Sequence, residues 1–184
     1  DEKIKLRMKK NQILFYKSEI DFLFNDLESI TKQYSVQEND YNDIIDVMRV
    51  LILFKDSPEI FKKYSHAQLK IHQNKRTEAI NILDALSYEC ENPLMKDLIN
   101  YQVANLLVYQ DKIDEALNKL ETISEEGIYN ELSKILIAEI YDYILTDYLY
   151  AKEFYYDFLK TYPSSIYHET IRLRLKEIME NSIQ

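Results

Sequence analysis

The sequence reads Asn74-Lys75-Arg76-Thr77-Glu78-Ala79 at one point, Asp111-Lys112-Ile113-Asp114-Glu115-Ala116 further on, and Asp147-Tyr148-Leu149-Tyr150-Ala151 later still. In each copy a polar turn leads into a helical pattern with an alanine at the same place, and these alanines are 37 and 35 residues apart. A second small residue precedes them by 12, 12 and 13 residues, at Ala67, Ala104 and Ala138. Small residues are needed where the two helices of a hairpin approach closely, so the repeat predicts stacked helix hairpins.

Start and stop signals divide the rest of the chain. Ser57-Pro58-Glu59 and Asn92-Pro93 are typical of helix N-termini, and Tyr162-Pro163 marks a third break. An apolar stripe from Ile13 to Tyr34, with spacings of three and four residues, predicts one long N-terminal helix. The predicted helices are 3–34, 40–55, 58–73, 76–89, 93–109, 112–124, 129–145, 148–161 and 165–181. The fold class is therefore all-α, an α-solenoid of antiparallel hairpins with about nine helices.

Composition supports a helical chain and excludes several functions. Only 1 of the 184 residues is Gly, against roughly 13 at average usage, which disfavours a β-sheet protein and prevents any Gly-rich phosphate loop. The net charge is −9, so we expect no nucleic-acid partner. No transmembrane segment is predicted, because no run of about 18 uncharged apolar residues occurs.

Candidate catalytic and metal-binding residues form no recognised pattern. His66, His72 and His168 show no metal-ligand spacing, and Cys90 stands between two glutamates that would weaken it as a nucleophile. The carboxylates, Asp142 among them, are interpreted as solvated helix faces. We therefore expect no catalytic residue, no metal and no cofactor, and we predict that the protein is not an enzyme.

The repeated units resemble tetratricopeptide repeats, whose helix–turn–helix unit of 34 residues has small residues at two fixed places and a later proline. Residues 58–164 would hold three such units, residues 1–57 a divergent hairpin of the long helix and a partner helix, and residues 165–184 a capping helix. Arg172, Arg174, Lys176 and Glu177 suit the solvent-facing side of that cap. The family's turn glycine is absent, and Asn74-Lys75, Gln110-Asp111 and Thr146-Asp147 occupy its place, since Asn and Asp tolerate left-handed conformations.

The resemblance also implies a function. Tetratricopeptide arrays bind peptides or partner helices in a groove lined by the first helix of each hairpin, which predicts a non-enzymatic protein-binding scaffold. Carried over position by position, the groove residues are Tyr64, Gln68, His72, Tyr101, Asn105, Tyr109, Ile135, Glu139 and Tyr143. Such a lining is rich in aromatic and amide groups and lacks the basic clamp that binds acidic tails, so a hydrophobic or aromatic segment is the expected ligand.

The last junction, from Phe154 through Tyr162-Pro163 to Tyr167, resembles that of bacterial periplasmic and outer-membrane-assembly repeat proteins. This resemblance favours a periplasmic or outer-membrane-associated location over a cytoplasmic one, and association with an envelope complex. A second hypothesis stays open. In it the chain is a structural subunit or regulatory extension of a larger assembly that associates through the long N-terminal helix as a coiled coil.

Overall fold

A computed structural model of the chain describes residues 2–33 and 41–181. Throughout these two segments every regular element is helical, which confirms the all-α class. The helices are α1 (Glu2–Tyr16), α2 (Ile20–Thr31), α3 (Tyr41–Phe54), α4 (Pro58–His72), α5 (Arg76–Glu89), α6 (Pro93–Val108), α7 (Ile113–Leu120), α8 (Ile128–Glu139), α9 (Tyr148–Thr161) and α10 (His168–Asn181). A π-helical segment, Ile140–Ile144, continues α8. The helices group into two compact units, Asp1–Met95 and Lys96–Gln184.

The prediction of one helix over residues 3–34 is wrong, because the chain turns back on itself after Tyr16. Ser18 adopts a left-handed conformation with φ of 62°, and its N–H and that of Glu19 donate to carbonyls of the last turn of α1. These bonds satisfy carbonyls that the end of a helix leaves without partners. Arg7 and Asp26 then join α1 to α2 with an ion pair of 2.9 Å. Tyr34, the last residue of the predicted stripe, lies outside the described residues.

The core of the first unit forms where α1 and α3 pack on α4. Phe15 of α1 meets Phe61 edge-on at 5.2 Å between ring centroids, and Phe54 of α3 stacks on Tyr64 at 4.8 Å. The hydroxyls of Ser18 and Ser65 share a hydrogen bond of 2.7 Å. The first hairpin of the repeat, α4 and α5, is thus covered on one side by helices that precede it in the chain.

The second unit begins in the first turn of α6 and contains two further hairpins, α6 with α7 and α8 with α9, followed by α10. One core cluster joins α6, α7 and the end of α8 around Ala104, Leu120, Ile123 and Ile140. Another joins α8, α9 and α10 around Ala138, Ala151, Tyr155, Phe158, Ile171 and Ile178. The small residues predicted at the close approaches of the three hairpins are all fully buried, at Ala67, Ala79, Ala104, Ala116, Ala138 and Ala151.

The turns inside the three hairpins form without glycine, as predicted. Asn74, Asp111 and Thr146 each have a left-handed φ, of 61°, 59° and 51°. After the first two, the N–H of the next residue donates to a carbonyl five residues back, at Lys70 and Leu107. This arrangement is the usual way to end a helix at a left-handed residue, although a β-branched residue such as Thr146 rarely occupies that position.

The third turn holds one residue more than the other two. Here the N–H of Asp147 donates to Tyr141, six residues back, at 2.8 Å, and the N–H of Leu145 donates to Ile140 at 2.9 Å. The extra residue is the one that lengthens the spacing from Ala138 to Ala151 to 13. A helix absorbs such an insertion as a π-helical turn, a feature found frequently at functional sites. The π segment therefore keeps both alanines at the hairpin contact while it rotates the residues after Glu139.

Candidate functional site

A buried ion pair lies at the π-helical segment. The side chain of Asp142 is fully buried and points toward α10, where Arg174 donates from Nε to Oδ2 and from Nη2 to Oδ1, both at 2.8 Å. The phenol of Tyr155 on α9 donates a third hydrogen bond to Oδ2 at 3.0 Å. Paired, planar bonds of this kind are the strongest that a carboxylate accepts from a side chain. The ion pair therefore ties α8, α9 and α10 together through a single acidic residue.

The protonation states of the partners follow from this arrangement. The hydrogen bonds to Asp142 raise the pKa of Arg174, which keeps the guanidinium charged. Burial, together with the charge of Asp142, raises the pKa of Tyr155, so its hydroxyl stays protonated and remains a donor. The network therefore consists of one anion, one cation and one neutral donor, and its three hydrogen bonds keep both buried oxygens of the carboxylate paired.

Arg174 also fixes an aromatic ring on the surface. Its guanidinium carbon lies 4.9 Å from the centroid of the ring of Tyr143, next to Asp142 in the π segment. The ring of Tyr143 is 60% exposed, and a cation held over one of its faces restrains it. The buried network thus positions an exposed side chain that the sequence predicted as a groove residue.

Five other predicted groove residues lie in the second unit. Tyr101, Asn105 and Ile135 are half-buried, whereas Tyr109 and Glu139 are exposed. The amide of Asn105 donates to the backbone carbonyl of Tyr101 at 2.8 Å, so it is engaged within its own helix. Together with Tyr143, these residues form the set that we call the tyrosine face: Tyr101, Asn105, Tyr109, Ile135, Glu139 and Tyr143.

Glu139 connects the two helices of the tyrosine face electrostatically. Although Glu139 is exposed, the atoms packed around its carboxyl group remove part of its hydration, and this desolvation, with the neighbouring charge of Asp142, raises the pKa of Glu139. Burial likewise raises the pKa of Tyr101, and the carboxylate of Glu139 raises it further. Tyr101 on α6 and Glu139 on α8 therefore lie within electrostatic reach of each other.

The three predicted groove residues of the first unit are placed differently. Tyr64 is only 2% exposed and is stacked in the core, so the structure removes it from the candidate surface. The reason is that Phe54 of α3 and Phe15 of α1 both pack on its ring, and a single long N-terminal helix did not suggest the contact with Phe15. His72 is exposed, with its ring 5.6 Å from that of Tyr16, and Gln68 is half-buried.

The structure also corrects two predictions about charged residues. Asp142 is not on a solvated helix face, and Arg174 does not face solvent as Arg172, Lys176 and Glu177 do. A signal for Asp142 was present in the sequence. Counted from the first alanine of each hairpin, it occupies the place of Ile71 and Val108, so an acid stands where the other copies have an apolar side chain.

The described residues contain no group of three His, Cys, Asp or Glu side chains placed to hold a metal ion. In the same segments no helix combines the length and the apolar character needed to cross a bilayer. No family model, curated protein or solved structure matches the chain. The resemblance to tetratricopeptide repeats accordingly stays a prediction from the sequence, while the helix hairpins are observed.

Proposed function

We propose that the protein is a non-enzymatic interaction module of tetratricopeptide-like hairpins that binds a segment of a partner protein on the tyrosine face. The observation that carries the proposal is the pair of exposed tyrosines on this face, Tyr109 at 77% and Tyr143 at 60%, which lie just after α6 and α8, the helices that begin two hairpins. Exposed aromatic rings at the positions predicted for groove residues would give a partner protein a large contact area.

The fixed ring of Tyr143 strengthens this proposal. Immobilising a side chain on binding reduces the binding free energy by about 0.5–1.5 kcal/mol. Arg174 already restrains Tyr143 before a partner binds, so part of this cost is avoided. Arg174 is in turn held by its ion pair with the buried side chain of Asp142, so the guanidinium that contacts the ring of Tyr143 is itself fixed in position. The buried ion pair thus supports binding as well as structure.

The chemistry of the face indicates the kind of segment that would bind. Tyr101, Ile135 and Tyr143 offer aromatic and aliphatic surface, and Glu139 places a carboxylate among them. Arg174, which contacts Tyr143 on this face, is already paired with Asp142. An apolar or aromatic segment therefore fits better than an acidic tail, which would meet Glu139 without a free cation to bind it.

A site-specific photocrosslinking experiment tests the proposal. A photoreactive amino acid at position 109 or 143 of the full chain should capture the same partner in the native cell. The variant Tyr109→Ala/Tyr143→Ala should reduce recovery of that partner at least tenfold while the far-UV circular dichroism spectrum is unchanged. The matched control, Tyr88→Ala/Tyr156→Ala, removes two tyrosines of similar exposure that lie outside the face and should leave recovery unchanged. Equal recovery with both double variants would rule out the tyrosine face.

A second candidate function is self-association through the N-terminal hairpin of α1 and α2. It replaces the hypothesis of a coiled coil, which required one long N-terminal helix. The observation in its favour is that Leu6 and Ile13 on α1 and Phe22 on α2 are large, apolar and exposed. Light scattering would test it, because Phe22→Glu should dissociate such a dimer. Leu23 is unsuitable for the test, since it is buried in the core and a charge there would unfold the unit.

A further inference from the structure

A groove of about 400 Å³ opens on another part of the second unit, between α7 and α9. Its floor is formed by half-buried apolar side chains, Leu117 of α7, Ile137 of α8, Tyr141 of the π segment and Phe154 of α9. Its rim carries Asp114, Asn118 and Glu121. A volume of this size and an apolar floor with a few polar groups are typical of binding sites.

The aromatic side of the groove is ordered by stacking. Tyr141 stacks on Phe154 with 5.3 Å between ring centroids and an interplanar angle of 13°, and on Tyr150 at 5.2 Å. These contacts hold three rings in a row from the first turn of α9 to the groove floor. An aliphatic group entering the groove would therefore meet a preformed surface.

The opposite wall is a single face of α7. Asp114, Leu117, Asn118 and Glu121 follow one another at intervals of three and four residues, so they lie on one side of the helix. Asp114 and Glu121 are seven residues apart, and at 1.5 Å per residue their Cα atoms are separated by about 10 Å. Both carboxylates are exposed.

We propose that this groove binds a segment of a partner protein in the polyproline II conformation that carries two cationic side chains three residues apart, with aliphatic residues between them. Such a segment has three residues per turn and rises about 3.1 Å per residue, so residues i and i+3 lie on the same side, about 9 Å apart, close to the spacing of Asp114 and Glu121. An aliphatic residue between them faces the floor of Leu117, Ile137 and Phe154. This surface is separate from the tyrosine face, and the inference does not rest on the function proposed above.

Charge complementarity selects this occupant over a second copy of the chain. Residues 96–184 contain sixteen Asp and Glu against nine Lys and Arg, so two such units repel each other at neutral pH. The acidic rim adds to that repulsion, whereas it attracts a cationic segment. An acidic or uncharged apolar segment would leave both rim carboxylates without a partner as water is displaced.

Nuclear magnetic resonance titration of the full chain tests the proposal with a defined probe, the peptide acetyl-Arg-Leu-Leu-Arg-amide. We expect saturable shifts concentrated on the amide and methyl signals of Leu117, Asn118 and Ile137. The variant Asp114→Asn/Glu121→Gln should weaken binding about fivefold or more, because it removes two ion pairs. Replacing both arginines of the peptide by citrulline, which keeps the shape without the charge, should weaken binding to the unmodified protein by the same factor.

The controls distinguish a site from general attraction to an acidic protein. Glu125→Gln/Glu126→Gln makes the same change in net charge at two exposed acids outside the groove and should leave the affinity within twofold. The proposal is overturned if this variant weakens binding as much as the groove variant does, or if the citrulline peptide binds equally well. It is also overturned if the groove signals shift with protein concentration alone, which would show a second copy in the groove.

Discussion

Removing Arg174 tests whether the ion pair at the π segment stabilises the second unit. The variant Arg174→Met keeps most of the apolar stem but leaves the buried carboxylate of Asp142 with one remaining hydrogen bond, from Tyr155. Breaking a buried pair by removing one partner costs about 3–5 kcal/mol. Since 27% of the side chain of Arg174 is exposed and water can replace part of it, we expect the low end, about 3 kcal/mol.

Urea denaturation followed by circular dichroism, with hydrogen exchange of amides in α8, α9 and α10, measures this loss. Arg172→Met is the matched control, because Arg172 forms only an exposed pair with Glu169 and its removal should cost less than about 0.5 kcal/mol. The triple variant Asp142→Leu/Tyr155→Phe/Arg174→Met should recover most of the stability, since apolar side chains can replace a buried ion pair without net loss and Tyr155→Phe removes a buried hydroxyl that would otherwise lose its acceptor. Equal losses for Arg174→Met and Arg172→Met, or no recovery in the triple variant, would refute the reasoning.

Three further substitutions have expected outcomes. Thr146→Asn should stabilise the protein by about 0.5–1 kcal/mol, because Asn adopts the left-handed conformation at φ 51° with less strain; a lower denaturation midpoint would contradict this. Gly127→Ala should destabilise it by about 1 kcal/mol or more in the same assay, since φ is +97° there and the added Cβ meets no other atom, so any loss comes from the backbone alone. Glu139→Gln should raise stability by up to about 0.5 kcal/mol at pH 7 and change nothing at pH 3. The sign follows because a carboxyl whose folded pKa lies above its ordinary value of 4.5 binds more protons when folded, so stability falls as the pH rises through that pKa; a gain at pH 3 equal to that at pH 7 would contradict it.

The repeated hairpins were predictable because their signals are local. A helix contact needs a small residue, and all six alanines identified by spacing are buried at such contacts. A helix that turns without glycine needs a residue that tolerates a left-handed φ, and Asn74 and Asp111 meet that need. Both signals depend on a residue and its neighbours in the chain, so the sequence alone carries them.

The break after Tyr16 was not predictable from the apolar pattern. The stripe continues across the turn, with Tyr16 and Ile20 at a spacing of four, and the intervening residues include neither Gly nor Pro. Leu23 is buried while Ile13 is exposed, so the part of the stripe before the turn and the part after it differ in solvent exposure. Only the tertiary contacts of α1 with α2 and α4 decide where the helix ends.

The role of the candidate residues in binding stays a prediction, but the exposure of some of them agrees with it. Tyr109 and Tyr143, whose positions follow from the repeat, are exposed. The burial of Tyr64 depends on contacts with Phe54 of α3 and Phe15 of α1, and the apolar pattern of α4 alone does not indicate these contacts. The pairing of Asp142 with Arg174, 32 residues later, is likewise a property of the folded unit.

The distance in sequence between Asp142 and Arg174 has a consequence for synthesis of the chain. A growing polypeptide that has completed α8 and α9 already holds the acid that must be buried between them, but its cation follows only with α10. Until Arg174 leaves the ribosome, burying Asp142 would leave a carboxylate without its cation, which favours an open hairpin. We therefore expect this hairpin to become protease-resistant only after α10 has emerged from the ribosome.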